Sequence, residues 1–268
     1  MEAVRKSSDR KQTEEEYKLI AEAFRRMLDV YENGAERMDV FEDIVTLRAS
    51  FLIDRVLSGM SLDFDKALVI IRNHNEFNTK FERQQRDTLL AAIDNLIDFA
   101  TAEEYSMLSE LPQETGGKYR EETETICKRY NLTNAAQEND DVRFASSVAA
   151  WWMTVSEDTY LTFMTQADER VRAWHLSHEG VTYAKPNFPP ELIPPIEWGC
   201  RCFLLTNSYA AVTGSSDTKR VVDGVNPIFS ESLAVGGRIF TEHHPYFKKT
   251  LSAEVADIKN RIKQKFNL

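Results

Sequence analysis

Apolar residues recur at intervals of three and four through most of the first hundred positions, and this spacing places them on single faces of successive helices. The stripes comprise Ile20, Phe24, Met27, Leu28 and Tyr31, then Phe41, Val45, Ala49, Leu52 and Val56, then Leu89, Ile93, Leu96, Ile97 and Ala100. Asn33-Gly34 and Ser58-Gly59 end the first two stretches, as expected for residues that favour helix ends. The pattern predicts a helical bundle over residues 1–112.

The limits of the helices are also marked. Thr13 and Glu16 have the spacing of a capping box, so we expect the first helix to begin at Thr13. The letters PQETGG, which follow Leu111, break the helical pattern. Helical spacing resumes at about residue 119 and again at about residue 142. We therefore assign residues 113–140 to a linker and a connecting helix.

The pattern changes after Thr162, where proline and glycine become frequent and short β-type runs appear. Val181–Tyr183 and Cys202–Thr206 are rich in β-formers and predict strands. Between them, residues 186–195 hold five of the eight prolines and should form an extended loop. We expect an α+β fold, in which the helical bundle precedes a smaller α+β domain at 141–250 with a short antiparallel sheet.

Residues 251–268 combine apolar and basic residues at helical spacing and predict a C-terminal amphipathic helix. From Lys248 to Lys265 there are six basic and two acidic residues, a local charge of +4. Such a run is typical of an ordinary solvated helix face. It could also contact the phosphates of DNA.

Composition excludes several other classes of protein. The formal net charge of −10 argues against nucleic-acid binding by the whole surface. The N-terminal segment lacks the apolar stretch of a signal peptide, and no apolar run approaches the roughly 20 residues of a membrane span. We therefore expect synthesis in the cytosol and no membrane partner. Three cysteines, an odd number, argue against a disulfide framework.

A small group of histidines and cysteines could hold a metal ion, because imidazole and thiolate are the ligands that zinc prefers. The candidates are His175, Cys200 and Cys202, with His178 or His243 as a fourth ligand. Cysteines two apart on a regular strand point to opposite faces, so both reach one ion only if Arg201 lies in a turn or bulge. The other interpretation is that the cysteines are small buried hydrophobic residues and the histidines make hydrogen bonds.

Charged residues of alternating sign precede the first of these histidines. Asp168, Arg170 and Arg172 fit a solvated turn with local ion pairs. They also fit an Arg–carboxylate network that pins a loop against the sheet, because a guanidinium can bond a carboxylate through two N–H groups. The sequence leaves both interpretations open.

Taken together, these segments resemble the Mu F-type domain of minor head proteins from tailed phages. The resemblance rests on the order DERVRAWH, HEG, a proline-containing loop and CRC, on the preceding FMTQAD, and on the later IF and HPYF. The matching positions are Asp168, Arg170, Arg172, His175, Gly180, Cys200, Arg201 and Cys202. It covers about residues 145–250, which is well under half of the chain.

The resemblance implies a non-enzymatic protein, present in few copies in the virion, at the portal vertex or in the head interior. There it would assist head morphogenesis or genome delivery after assembly in the bacterial cytoplasm. Its partners would be phage portal or capsid proteins, onto which the N-terminal helices would dock. The basic C-terminal run would be the part that contacts packaged DNA. No cofactor is certain, and zinc is the candidate.

Two other functions stay open. A zinc-dependent hydrolase or nuclease would use Asp168, His175 and Glu179, with an open metal position and a positioned base. No HExxH, GxSxG or P-loop motif accompanies them. A toxin-delivery protein would carry a toxin domain after the Mu F-type segment, and about 20 residues follow HPYF, so we do not expect one.

Overall fold

The computed structural model describes residues 2–73, 76, 79–112, 120–207 and 224–266. Its helices are α1 (Glu2–Asp29), α2 (Gly34–Gly59), α3 (Phe64–Arg72), α4 (Lys80–Glu110), α5 (Arg120–Lys128), α6 (Ala135–Thr154), α7 (Ala173–Leu176) and α8 (Ala253–Lys265). Its strands are β1 (Tyr160–Met164), β2 (Thr182–Ala184) and β3 (Phe203–Asn207). The predicted α+β class, mostly helical with a short antiparallel sheet, is confirmed.

The chain divides into two compact units, each assembled from non-consecutive segments. Unit 1 comprises Met1–Arg55, Ile93–Asp140 and His244–Leu268, and unit 2 comprises Val56–Ala92 and Asp141–His243. The division into consecutive domains at 1–112, 113–140, 141–250 and 251–268 stays a prediction. Residues 113–119 of the expected linker lie outside the described residues.

The core of unit 1 contains most residues of the predicted apolar stripes. Phe24 of α1, Phe41 and Leu52 of α2, and Leu96 and Ile97 of α4 are all fully buried. Removal of this apolar surface from water contributes roughly 25 cal/mol per Å² and is the main favourable term for the unit. The stripes therefore predicted which helix faces point inward.

Unit 1 also buries charged side chains. Arg48 of α2 donates to Glu103 of α4 at 2.7 Å and to Glu138 of α6 at 2.6 Å. Arg55 forms two hydrogen bonds of 2.8 Å with the carboxylate of Glu16. These contacts join α1, α2, α4 and α6, and they satisfy buried charges that would be costly if left unpaired.

The predicted capping box is wrong. Thr13 lies inside α1, where its hydroxyl donates to the carbonyl of Asp9 at 3.1 Å and accepts from the amide of Asn139 at 3.2 Å. Glu16 is engaged by Arg55 instead of a backbone N–H. Both polar side chains therefore serve a buried network with other helices, which a local spacing rule does not include.

The C-terminal helix α8 is amphipathic, as predicted, and buries Val255, Ile258 and Ile262. Its basic residues form ion pairs with acidic residues of unit 1. Lys259 contacts Asp98 at 3.1 Å, and Lys263 contacts Asp94 at 2.6 Å and Asp98 at 2.9 Å. Arg261 and Lys265 both pair with Glu42 of α2. Much of the local positive charge is thus matched within the unit.

The sheet of unit 2 has the order β2-β1-β3, and both pairings are antiparallel. The predicted strands at Val181–Tyr183 and Cys202–Thr206 are found as β2 and β3, displaced by about one residue. Strand β1 was not predicted. It alternates buried Leu161 and Phe163 with half-buried neighbours, and it places the turn that follows it beside the loop before β3.

Candidate metal centre

His175, Cys200 and Cys202 meet in unit 2. One possible ligand atom from each lies within 4.8 Å of the others. The side-chain environment is enclosed, since the three residues are 2%, 5% and 3% exposed. His175 Nδ1 lies 3.2 Å from Cys202 Sγ. The three predicted protein ligands therefore form a cluster that could hold a metal ion.

A turn before β3 brings the two cysteines to the same place. Gly199 has a φ of 62°, a left-handed conformation that glycine adopts without strain, and the Cys200 N–H donates to the carbonyl of Glu197 at 3.1 Å. The N–H of Gly199 also donates to both carboxylate oxygens of the buried Asp141, at 3.0 and 3.2 Å. Because the regular strand begins only at Phe203, both sulfurs can point toward His175.

The pKa values of the two thiols are shifted in opposite directions. The hydrogen bond with Cys202, assisted by His175, lowers the pKa of Cys200 well below its usual value, although burial acts in the opposite direction. The same bond, together with burial, raises the pKa of Cys202. Cys200 is therefore the thiol that ionises more readily, and the thiolate is the form of cysteine that binds a metal.

The charged motif joins the two chain segments that carry the cluster. Arg201 donates to the Asp168 carboxylate from its two terminal guanidinium nitrogens, at 2.7 and 2.6 Å. This hydrogen bonding lowers the pKa of Asp168 to about 2. Arg172 donates to the carbonyl of Trp198 at 2.8 Å. Arg170 is exposed, and its backbone N–H bonds the Asp168 carboxylate. Two of the three predicted charged residues therefore tie the 168–172 segment to the turn before β3.

Gly180 attaches the same region to the sheet. Its φ of 80° is left-handed, and its N–H donates to the carbonyl of Phe163 in β1 at 2.8 Å. The preceding Glu179 accepts a hydrogen bond from the hydroxyl of the buried Thr165. The glycine of the HEG segment is therefore required by backbone conformation rather than by lack of space, since no atom would lie within 4 Å of an added Cβ.

The two histidines expected as a fourth ligand are not in the cluster formed by the described residues. His178 is half-buried, with its ring against Phe163 and Trp174. His243 is exposed. Asp168 and Glu179, the acids of the hydrolase hypothesis, are bonded to Arg201 and Thr165 and also lie outside the cluster.

Sequence reasoning missed Glu197, Trp174 and Asp141. The Glu197 carboxylate accepts from the Trp174 indole N–H at 3.0 Å and pairs with Arg172 at 3.2 Å. Trp174 directly precedes His175, and Glu197 lies three residues before Cys200. This closeness to the predicted ligands was a signal that could have identified both residues. Asp141 lies 58 residues before its partner Gly199, and no local pattern connects them.

A surface groove of about 860 Å³ lies elsewhere in unit 2. Its lining includes Lys80, Arg83, Trp152, Lys185 and Phe188. None of the cluster residues contributes to it. The cluster and this groove are therefore separate features of the unit.

Comparison with known protein families, with curated proteins and with solved structures finds no match to this chain. Within the part of the chain that the structure describes, none of the helices combines the length and the apolar character needed to cross a membrane.

Proposed function

We propose that this chain is a non-enzymatic, Mu F-like minor head protein of a tailed phage or prophage, which acts in head morphogenesis or genome delivery near the portal. The proposal begins with the resemblance in the segment from Asp168 to Cys202. It places the protein in the virion and makes portal or capsid proteins its partners.

The observation that supports this proposal best is that the separated pieces of the motif contact one another. Asp168 bonds Arg201 across 33 residues, and His175 contacts Cys202 across 27 residues. Gly180 is bonded to β1. Motif residues that build one tight junction define a structural module.

The cluster is best suited to zinc. One imidazole and two thiolates are borderline and soft ligands, a set typical of zinc sites. When bound, zinc would supply strong bonds between α7, which carries His175, and the turn before β3. His175, Cys200 and Cys202 would hold it, and its role would be to stabilise unit 2.

A zinc-dependent hydrolase is the alternative, because three protein ligands and an open position are also found in catalytic zinc sites. Two observations favour the structural role. The ligands are almost completely buried, and the acids that would act as a base are engaged by Arg201 and Thr165. A base must be free to reach the proton that it removes.

Contact of α8 with packaged DNA is a weaker part of the proposal. Lys259, Arg261, Lys263 and Lys265 are already matched by Asp94, Asp98 and Glu42. Phosphate binding would have to compete with these pairs. We therefore favour a role for the basic run in attaching α8 to its own unit.

Mass spectrometry of particles purified from the producing host, followed by co-purification with the tagged portal protein, tests the assignment. We expect the chain in mature particles at a small fraction of the copy number of the major capsid protein, and in the portal eluate. Its presence only in the soluble lysate would contradict the proposal.

A further inference from the structure

Glu197 lies beside the ring nitrogen of His175 that does not contact Cys202. Its Oε2 is 3.5 Å from His175 Nε2, while His175 Nδ1 is 3.2 Å from Cys202 Sγ. The imidazole therefore has a carboxylate at one nitrogen and a cysteine at the other. The contact at Nε2 is within ion-pair distance but does not have the geometry of a hydrogen bond, and Nε2 has no hydrogen-bond partner among the described residues.

The position of Glu197 is itself fixed. The same Oε2 accepts from the indole N–H of Trp174 at 3.0 Å and contacts Nε of Arg172 at 3.2 Å. Its backbone carbonyl accepts from the N–H of Cys200. Glu197 is thus bound both to the helix that carries His175 and to the turn that carries Cys200.

This arrangement favours one tautomer of the imidazole. A carboxylate only accepts hydrogen bonds, so it favours a hydrogen on the nitrogen that faces it. With the hydrogen on Nε2, the lone pair of Nδ1 is directed toward the sulfurs. Histidine ligands of metals commonly donate their second N–H to a carboxylate, which orients the ring and increases its basicity.

We propose that Glu197 is the positioning residue of the metal centre: it holds His175 with Nδ1 as the ligand atom and thereby sets the affinity for zinc. This role rests on the proposed zinc site. Arg172, which precedes α7, and Trp174, which lies in α7, act through Glu197 by holding its carboxylate in place. The motif would then encode the ligands and also the residues that orient one of them.

Zinc affinity in Glu197→Gln tests the role, because glutamine keeps the size of the side chain and removes its charge. Competition with a chromophoric chelator should give a zinc Kd that is about 10 to 100 times weaker than in the wild type. Glu179→Gln is the matched control, since Glu179 bonds Thr165 and is outside the cluster. Its zinc Kd should equal that of the wild type.

Nitrogen NMR of the His175 ring in the zinc-loaded full chain supplies a second readout, which a general loss of packing would not reproduce. We expect the Nε2–H tautomer in the wild type and a changed ring spectrum in Glu197→Gln. Trp174→Phe removes the indole donor but keeps an aromatic ring, and it should show a smaller loss of affinity. This variant serves if Glu197→Gln does not fold.

The outcomes separate the two proposals. A wild-type protein that binds no zinc overturns the metal site and, with it, the role of Glu197. A wild type that binds zinc, with equal affinity and an equal His175 spectrum in Glu197→Gln, overturns the role of Glu197 alone. A selective loss in Glu197→Gln and Trp174→Phe supports the proposal.

Discussion

Replacement of Glu104 by glutamine should change how the stability of unit 1 depends on pH. Glu104 is 0% exposed, and its carboxyl group accepts a hydrogen bond from the amide of Asn131 at 3.3 Å. The nearby cation, Arg48, is engaged by Glu103, Glu138 and Asn139. Burial raises the pKa of Glu104 well above its usual value, and the neighbouring Glu103 raises it further. We therefore expect Glu104 to fold with its proton.

The direction of this pH dependence follows from the linkage between proton binding and folding. A carboxyl whose folded pKa is raised stabilises the protein fully below the unfolded pKa of about 4.3, and this contribution is lost as pH rises through the folded pKa. In that window the free energy of unfolding of the wild type falls by about 1.4 kcal/mol per pH unit for one retained proton. A rise of about 1.5 pH units would cost about 2 kcal/mol, and the loss would level off at the folded pKa.

Urea unfolding of the full chain at a series of pH values from about 5.5 to about 8.5 measures this effect as the difference between wild type and Glu104→Gln. The difference should move steadily in favour of the variant as pH rises. His244, whose pKa burial lowers to about 4, contributes in the opposite direction, but it is present in both proteins and cancels. Exposed Glu254→Gln is the control. A difference in the free energy of unfolding that does not depend on pH would show that Glu104 is ionised in the folded state. It would contradict the expectation that Glu104 folds with its proton.

The remaining predictions concern packing and surface charge. Gly59→Ala should destabilise unit 2 by about 1–3 kcal/mol in urea unfolding, because the new Cβ would lie 2.5 Å from the carbonyl oxygen of Arg143. Gly34→Ala, with no atom within 4 Å, is its control, and an equal cost at both positions would contradict this account. Lys263→Gln should lower the stability of unit 1 by about 0.5–1 kcal/mol, because it loses both Asp94 and Asp98. Weaker duplex-DNA binding with unchanged stability would instead assign Lys263 to a nucleic-acid contact.

Much of the fold was accessible from the sequence because local patterns report directly on burial. The apolar stripes predicted the inward faces of α1, α2 and α4, since residues three and four apart share one side of a helix. β2 and β3 were predicted within about one residue because their β-formers are bounded by proline and glycine. Strand β1 lacks such boundaries, and its partners lie far along the chain.

Long-range polar contacts could not be predicted in the same way. Thr13 and Glu16 satisfy a local capping rule, yet their partners Asn139 and Arg55 are brought to them only by the folded unit. A π-helical segment, Arg129–Asn134, connects α5 and α6 where the sequence suggested two separate helices.

The candidate site was predictable only in the identity of three of its residues. His175, Cys200 and Cys202 were chosen by ligand chemistry, and the turn at Gly199 supplied the geometry that Cys-x-Cys spacing alone does not require. The proposed fourth ligands His178 and His243 were chosen by residue type, which does not determine where an imidazole points. Glu197 was missed because its contact with His175 depends on a ring orientation that only the folded chain defines.

The metal content of the full chain, purified without an affinity tag or added metal, shows whether the cluster of His175, Cys200 and Cys202 is a zinc site. We expect one zinc per chain by elemental mass spectrometry, its loss in Cys200→Ser and His175→Ala, and a lower melting temperature after chelation. A protein that carries no metal, with a melting temperature unchanged by chelator, would contradict this expectation and leave the cluster as a hydrogen-bonded part of the core.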